Sequence, residues 1–445
     1  MKQLFRFSIL VLALLLSATA TAHNFEVDGI YYKINGNAAA VTFKGAYYNS
    51  YDNDYSGSVV IPATVTYNGT TYPVTSIGKY AFYDCTRLTS VDIPNSVTYI
   101  GESAFCRCRS LASIDIPNLV TAIGDYVFAA CSGLTSIVIP NSVTSIKERT
   151  FSYCSGLTSI EISNSVTSIG DETFMACTGL TSIDIPNSVT SIGHQAFYHC
   201  TGLTSIDIPN SVTSIGLSAF DGCSGLTSIV LESGNPRYDS RNNCNAIIET
   251  AYNILIVGCK NTIIPNSVTA IGDDAFHGCT GLTSIVIPNS VIYIGYEAFH
   301  GCTGLTSIVI PNSVTEVGYE AFYQCTGLTD VYCYIADLSR VSSGDGLFYL
   351  DDYDYSGRTL HVLKGKADAY RADENWYPYF EKIVEIVPGD VNGDIEVNIA
   401  DINAVIDTIQ GGNGSSSLAD VNGDGEINIA DINAIIDIIL GGTQN

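Results

Sequence analysis

The chain has 445 residues, of which 46% are apolar and 14% are charged, so it can form several folding units with a surface that is polar but weakly charged. The formal net charge of -26 argues against nucleic-acid binding, because phosphate recognition needs clustered Lys and Arg side chains. This composition is typical of an extracellular binding or structural protein.

Residues 1–22 have the features of a signal peptide. Lys2 and Arg6 precede the apolar run Phe7 to Leu16, and Ala20-Thr21-Ala22 supplies the small residues that a signal peptidase requires. The run is short for a bilayer span, and no other long uncharged apolar stretch follows it. We therefore expect a secreted or cell-surface protein without a membrane span.

A unit of 23 residues recurs over residues 78–334, and such a fixed period is typical of a solenoid. In each unit, Leu-x-x-Ile-x-Ile places apolar side chains on one face of a strand. Pro-Asn then turns the chain, Val-Thr-Ser-Ile forms a second short strand, Gly permits a tight bend, and Ala-Phe-x-x-Cys adds buried side chains. The units begin at Leu88, Leu111, Leu134, Leu157, Leu180, Leu203, Leu226, Leu282, Leu305 and Leu328.

This signature resembles the BspA-like leucine-rich-repeat family, whose members are bacterial and protist surface or secreted proteins, some of them linked to adhesion. The resemblance implies a parallel sheet on the concave side of a mainly β solenoid. Open ends of the stack need covering, so we expect β-rich caps over residues 23–77 and 335–387. In the second cap, the group Trp376, Tyr377, Tyr379 and Phe380 either covers the last coil, which we favour, or forms a sugar-stacking platform.

Leu226 and Leu282 lie 56 residues apart, and the extra residues contain two strand-like runs around a turn. We expect a β-hairpin that projects from the solenoid over about 232–262, either as a decorative insertion or as a ligand contact. Cys244 and Cys259 lie opposite each other in this hairpin, and they either form a disulfide or stay reduced.

Ten other cysteines recur with the repeat and should stack in successive coils. Their parallel Cβ vectors are then too far apart for disulfides, so we expect buried thiols that fill space. These residues are Cys85, Cys108, Cys131, Cys154, Cys177, Cys200, Cys223, Cys279, Cys302 and Cys325.

The residue between the two strand isoleucines should face outward, and it changes character along the array. We predict that a protein ligand docks on the concave face, with its apolar part against Val286, Val309 and Tyr332 and its basic part against acidic coils such as those of Asp184 and Asp207. Solubility is the alternative role for the acidic residues. His277 and His300 lie one period apart, and we favour a solvated surface over a shared metal ion for this pair.

Residues 388–445 differ in composition, with ten carboxylates and no Lys, Arg or His. Two segments thirty residues apart place oxygen-bearing residues at the first, third, fifth, seventh, ninth and twelfth positions of a loop, as calcium coordination requires. Each loop leads into an amphipathic helix, so we predict a small α domain that binds two calcium ions. The predicted ligands are Asp390, Asn392, Asp394, Glu396, Asn398 and Asp401, and then Asp420, Asn422, Asp424, Glu426, Asn428 and Asp431.

The duplicated loop and helix resemble a type I dockerin, and the resemblance implies a cohesin-like partner. Ile399-Ala400 and Ile429-Ala430 stand where many dockerins carry Ser-Thr recognition pairs, and a purely structural calcium module is the alternative.

We therefore predict a protein-binding or adhesion protein that is not an enzyme, attached to a partner through its calcium-dependent module. Catalysis has no support, since no Ser or Cys nucleophile is paired with a His in a distinctive motif. The alternatives are an accessory component of an extracellular polysaccharide-degrading assembly and a Thr-rich face for ice or mineral.

Overall fold

The computed structural model describes residues 22–45, 47–49, 55–391, 397–410, 419–422 and 427–440. The chain divides into two compact units, Met1–Gly202 with Ser214–Ala219 and Leu203–Thr213 with Phe220–Asn445. Both units are built mainly of short strands, and this confirms the predicted fold class. The predicted signal peptide, apart from Ala22, lies outside the described residues.

The first unit begins with six strands that precede the repeats. They are β1 (Phe25–Val27), β2 (Ile30–Asn35), β3 (Ala38–Thr42), β4 (Gly57–Val60), β5 (Thr64–Tyr67) and β6 (Thr70–Ile77). Strands β1, β2 and β3 pair antiparallel, whereas β3 and β6 pair in parallel. The Tyr55 hydroxyl donates to the Thr42 carbonyl (2.9 Å) and accepts from the Tyr31 backbone N–H (3.0 Å). The Tyr55 hydroxyl thus satisfies two backbone groups at this end of the unit.

The coils of the first unit form longer strands on one side and two-residue strands on the next. The longer strands are β7 (Leu88–Asp92), β10 (Ser136–Ile139) and β11 (Ser159–Ile162), and the shorter ones are β8 (Tyr99–Ile100), β9 (Ala122–Ile123), β12 (Ser168–Ile169), β13 (Ser191–Ile192) and β15 (Ser214–Ile215). Parallel pairing joins equivalent residues of successive coils, as in Ile137 with Ile160. Ile137 and Ile139 are buried while Val138 between them is exposed, as strand alternation requires.

The repeated Gly at the end of the short strand is required by close approach between coils. A Cβ atom on Gly193 would lie 2.5 Å from the carbonyl carbon of Gly170 in the preceding coil. The left-handed conformation occurs two residues later, where Gln195 has a φ of 50°. The bend therefore uses Gly for space, and non-glycine residues adopt the positive φ.

Phe and Cys side chains form two columns inside the first unit. The rings of Phe82, Phe105, Phe128, Phe151, Phe174 and Phe197 stack with centroids 5.0 to 5.6 Å apart. The Cys177 thiol donates to the carbonyl oxygen of Phe151 at 3.1 Å, and Cys131 makes the same bond to Phe105 at 3.0 Å. The cysteines are thus hydrogen-bond donors as well as small buried side chains.

The second unit has the same arrangement. Its longer strands are β14 (Ser205–Ile208), β16 (Ser228–Leu231), β22 (Ser307–Ile310), β24 (Asp330–Cys333), β26 (Thr359–Leu363) and β27 (Lys382–Ile386), and its two-residue strands are β20 (Ala270–Ile271), β21 (Tyr293–Ile294), β23 (Glu316–Val317) and β25 (Ser342–Ser343). Strands β22, β24, β26 and β27 form one parallel sheet. A second column of Phe rings runs through Phe276, Phe299, Phe322 and Phe348.

The insertion contains β17 (Tyr238–Asp239), the 3-10 helix Arg241–Asn243, β18 (Ile247–Glu249) and β19 (Ile254–Val257). Strands β18 and β19 pair antiparallel as a hairpin. The expectation that this hairpin projects is wrong, because β19 pairs in parallel with β20 and both Ile248 and Leu255 belong to the buried core. Its apolar residues take the place of a coil.

After the last repeat, strands β26 and β27 extend the parallel sheet. The 3-10 helices Leu338–Arg340 and Tyr377–Tyr379 and helix α1 (Ala367–Arg371) complete this region. Trp376 is wholly buried and meets the Tyr370 ring edge-on at 5.4 Å. Because Trp376 and Phe380 are buried, they cover the core and do not form a sugar-stacking platform.

Arg358 is buried in the same region, and sequence analysis missed its role. Its guanidinium donates to the carbonyl oxygens of Leu328 (2.9 Å) and Phe348 (2.8 Å). A planar guanidinium has several donors and can bond to carbonyl oxygens from more than one coil. Arg358 therefore connects the last repeat to the residues that cover it by hydrogen bonds.

The fourteen cysteines all lie among the described residues, and none of them forms a disulfide there. The Cys259 thiol donates to the Asn245 carbonyl (3.4 Å), and Cys244 lies 3.6 Å from the Ser240 hydroxyl oxygen. Pairing between Cys244 and Cys259 stays a prediction.

We expect the native protein to resist thiol alkylation at pH 8. Burial raises the pKa of the Cys154 and Cys200 thiols to about 12, so only about one molecule in 10,000 carries the reactive thiolate at that pH. Mass mapping after iodoacetamide treatment should find at most the half-buried Cys106 modified in the folded protein. Unfolding in guanidinium before treatment provides the control and should expose the whole column.

Rapid labelling of Cys177 in the native state, or a bridge from Cys177 to Cys200, would contradict the stacked arrangement. The same maps, collected with and without prior reduction, decide whether Cys244 and Cys259 are bridged.

Candidate calcium module and binding face

Two helices in the C-terminal segment begin with the same capping arrangement. They are α2 (Ile399–Ile409) and α3 (Ile429–Ile439). The Asn398 side-chain oxygen accepts from the Ala400 backbone N–H (2.8 Å), while the Asp401 carboxylate accepts from the Asn398 backbone N–H (2.8 Å). Asn428 and Asp431 repeat both bonds in the second helix. Each pair is a capping box, which satisfies N–H groups that the first helical turn leaves without partners.

The aspartate of each capping box also holds the start of its loop. The second carboxylate oxygen of Asp401 accepts from the Val391 N–H at 2.7 Å, and that of Asp431 accepts from the Val421 N–H at 2.7 Å. Both side chains are wholly buried, and Asp390 is buried as well. The first and twelfth positions of each loop are therefore brought close together by backbone donors.

This donor set fits calcium. Buried carboxylates need a cation or several hydrogen bonds to stay ionised, and residues 388–445 contain no Lys, Arg or His. A hard cation with oxygen ligands meets this need, and Asp390, Asp401, Asp420 and Asp431 would supply carboxylates to it. The predicted ligands Asn392, Asp394, Glu396, Asp424 and Glu426 lie outside the described residues, whereas Asn422 is described at the end of 419–422.

The two helices share a small core. Val391, Val405, Ala419 and Ile435 are its buried members. The predicted apolar faces are only partly buried, since Ile399 and Ile429 at the helix starts are 72% and 70% exposed. These two side chains leave an apolar spot at the start of each helix.

The second calcium loop touches the repeats of the same unit. The Asn289 side-chain amide donates to the Asn422 carbonyl oxygen at 3.0 Å. Burial, with smaller contributions from Tyr332 and Asp420, raises the pKa of the Tyr334 phenol to about 12. Asp420 therefore lies near enough to Tyr334 to affect its ionisation.

The predicted ligand face corresponds in part to one row of side chains in the sheet of the second unit. Val309, Tyr332, His361 and Val384 are register partners across β22, β24, β26 and β27. The Tyr332 and His361 rings stack with centroids 4.3 Å apart. Val286 is exposed one period before Val309, outside the assigned strands.

The acidic part of the predicted face is divided between the units. Asp207 is the register partner of the exposed Val230 in the second unit. Asp184 belongs to the first unit and lies outside the assigned strands.

Comparison with known families accounts for both architectures. Residues 70–180, 144–256 and 247–344 match the BspA type leucine rich repeat region, and together they span more than half of the chain. The chain belongs to the BspA-type leucine-rich-repeat family. Residues 388–440 match the dockerin type I domain, so this BspA-type protein ends in a dockerin module. Type I dockerins bind calcium, and a dockerin implies a protein partner of the cohesin kind.

Two solved structures are among those similar to this chain. A leucine rich cell surface protein from Faecalibacterium prausnitzii A2-165 is 28% identical with a TM-score of 0.59, and the match covers 84% of this chain and 97% of that one. A leucine-rich repeat protein from Bacteroides ovatus is 26% identical with a TM-score of 0.47, over 82% of this chain and 100% of the other. No curated protein matches the chain.

The BspA-type and dockerin families are non-catalytic, and they are typically extracellular or surface-associated. Among the helices in the described part of the chain, none is long and apolar enough to cross a membrane.

Sequence analysis missed His361 and Val384 on the row of this BspA-type sheet. The available signal was strand alternation, because His361 stands between Leu360 and Val362 and alternation directs it to the opposite face of the strand. Val384 follows His361 by 23 residues, which is one period, so the spacing could have placed it once His361 was recognised.

We predict that Asp431→Asn abolishes calcium binding at the second dockerin loop. The amide keeps the size of the side chain but loses the charge and one acceptor oxygen, and a calcium loop depends on its carboxylate at the twelfth position. Isothermal titration calorimetry should find two ions on the parent and one on the variant. Asp437→Asn, an exposed carboxylate on the same helix, is the matched control and should leave two.

Circular dichroism should also show less helix in the Asp431→Asn variant, because loss of the metal removes folding free energy from a small unit. Binding of two ions by the variant at parental affinity would contradict the assignment of Asp431.

Proposed function

We propose that this chain is a secreted or cell-surface protein that binds a protein ligand on the outward row of its long-strand sheet. Its dockerin module, loaded with two calcium ions, attaches it to a cohesin-like partner. The exposed apolar row in the second unit carries this proposal, because an apolar strip on an otherwise polar surface is typical of an interaction site.

The row supports a protein ligand by its composition. Val286 and Val384 are each 42% exposed, and Val309 and Tyr332 are half-buried between them in the chain. Tyr332 stacked on His361 offers a rigid aromatic anchor, and such residues contribute strongly to protein interfaces. The acidic balance of the chain favours a partner with basic groups near its apolar part.

The proposed attachment to a cohesin-like partner depends on the dockerin module. Ile399 and Ile429 occupy equivalent places in the two halves, and both are largely exposed. The partner surface should therefore be apolar where many dockerins meet a partner through hydroxyl groups.

An accessory role in a polysaccharide-degrading assembly would use the same dockerin attachment. Trp376 is the largest member of the aromatic group that would have favoured sugar binding, and it is buried. The protein-binding role therefore has the better support.

We expect the full chain to bind a type I cohesin domain in calcium and to release it in EGTA. A panel of purified cohesins on a biosensor measures this, with Asp401→Asn/Asp431→Asn as the inactive variant and Asp407→Asn/Asp437→Asn as its control. Exchanging Ile399-Ala400 and Ile429-Ala430 for Ser-Thr should weaken the preferred cohesin at least tenfold. If calorimetry finds calcium bound but no cohesin binds, the module is purely structural.

For the solenoid, we expect Val286→Lys/Val309→Lys to raise the Kd of a protein ligand at least tenfold. The two lysine ammonium groups would lose their hydrating water when the ligand packs against them. A loss of about 1.4 kcal/mol in binding free energy already raises the Kd tenfold. A photo-crosslinking residue at position 309 identifies the ligand, and biosensor titration measures the Kd. Val138→Lys, an exposed valine in the first unit, is the control and should bind normally.

Circular dichroism must show the double variant to be folded. If the folded variant bound the ligand with parental affinity, the row would not be the binding site. The exposed Tyr252 and Ile263, in and next to the insertion, would then be the next candidates.

A further inference from the structure

Three ligating side chains meet in the second unit, at positions of the repeat that the proposed function does not use. The ligand atoms of His277, Glu297 and His300 all lie within 4.8 Å of one another. One Glu297 carboxylate oxygen is 2.7 Å from His300 Nδ1 and 3.5 Å from His277 Nε2. The two imidazole rings have centroids 4.4 Å apart.

The repeat holds the two histidines side by side. Both occupy the place after the stacked Phe, in the sequences Ala275-Phe276-His277-Gly278-Cys279 and Ala298-Phe299-His300-Gly301-Cys302. The backbone N–H of Gly278 donates to the His300 carbonyl oxygen at 2.7 Å, and the rings of Phe276 and Phe299 stack at 5.0 Å. The spacing of the imidazoles is therefore set by coil stacking, so a metal ion would not have to gather its ligands from flexible segments.

Glu297 is held as the acidic member between these rings. Its carboxylate is hydrogen-bonded to His300 Nδ1 at 2.7 Å, and Tyr296 is a second hydrogen-bond partner. The Tyr323 ring meets the His300 ring edge-on at 4.7 Å. Hydrogen bonding thus positions the carboxylate, and aromatic packing limits the movement of one of its partners.

The side chains are only partly open to solvent. His277 and Glu297 are each 15% exposed and His300 is 24% exposed. This burial limits competition from water at the three donor atoms and still leaves access for an ion. The exposed Tyr296, whose hydroxyl bonds to Glu297, can orient the carboxylate as an outer partner of a metal site.

Two imidazole nitrogens and one carboxylate oxygen form a ligand set for borderline transition metals and not for calcium, which takes oxygen ligands. Donor atoms in a tetrahedral zinc site lie about 3.3 Å apart, because the bonds are about 2.0 to 2.1 Å long. The two measured separations, 2.7 and 3.5 Å, lie on either side of this value. Binding of an ion therefore needs only small changes in these two separations.

We propose that His277, Glu297 and His300 bind one divalent transition-metal ion of the zinc type. Three protein ligands leave a coordination position for water or for a side chain of another molecule. The site is separate from the calcium loops, which offer only oxygen donors in the sequence.

Zinc titration of the full mature chain in saturating calcium tests this inference, because calcium keeps the dockerin loops filled. Isothermal titration calorimetry should find one zinc ion per chain. His277→Ala and His300→Ala should each weaken zinc binding at least tenfold, and Glu297→Gln should weaken it while preserving the side-chain size. His199→Ala, at an edge-on contact with Tyr198 in the first unit, is the matched control and should bind zinc like the parent.

Cobalt substitution supplies a second readout, since the absorption spectrum distinguishes nitrogen and oxygen ligands from thiolates. A spectrum without a thiolate charge-transfer band, lost in Glu297→Gln, supports the site. Such a band would place the metal on cysteines and overturn the proposal. Absence of stoichiometric zinc binding would overturn it too, as would parental affinity in folded His277→Ala and His300→Ala variants.

Discussion

Parallel stacking of equivalent residues in successive coils is the constraint on which the rest of the structure depends. A single coil cannot bury its Leu and Ile side chains, so its stability comes from its neighbours. Within each unit, backbone hydrogen bonds join residues one period apart. This spacing stacks the Phe rings in columns, with neighbouring ring centroids in a column about 5 Å apart. It also brings repeat thiols such as Cys177 to the carbonyl oxygen of the Phe one coil earlier, which is Phe151 in this case. The spacing further explains Gly193, where a Cβ atom would strike the coil before it.

The sequence predicts features that repeat far better than features that occur once. Because Val309 and Tyr332 occupy the same place in their units, their pairing follows from the period alone, and β24 pairs with β22 accordingly. The insertion has no counterpart elsewhere in the chain, so its hairpin could be inferred from alternation but its parallel pairing with β20 could not. Arg358 belongs to the same class, since nothing in its local sequence distinguishes a buried guanidinium from an exposed one. Its role depends on carbonyl groups of Leu328 and Phe348, which are distant in sequence from one another.

The C-terminal module depends on a different constraint, in which one aspartate serves both the helix and the loop. Asp401 accepts N–H groups from the helix N-cap and from Val391 at the start of the loop. Loop spacing identified this residue, but it did not reveal that the carboxylate is wholly buried. Four buried apolar residues form the module's core, and so small a core contributes little free energy. We expect a buried acid in such a setting to couple the fold to a cation.

The repeat also separates positions that must be constant from positions that are free to vary. The residue after the stacked Phe is Met175, Tyr198, His277, His300 or Tyr323 in different coils, although the Phe before it is buried in each. Side chains at this place become neighbours because the backbone spacing is fixed, as the contacts of His300 with His277 and Tyr323 demonstrate. A substitution there changes surface chemistry without disturbing the column of Phe rings. Two such substitutions in adjacent coils are enough to create a pair of ligands at a set distance, and no new element of structure is needed. A repeat solenoid can therefore acquire local ligand groups at this position without any change in its dockerin module.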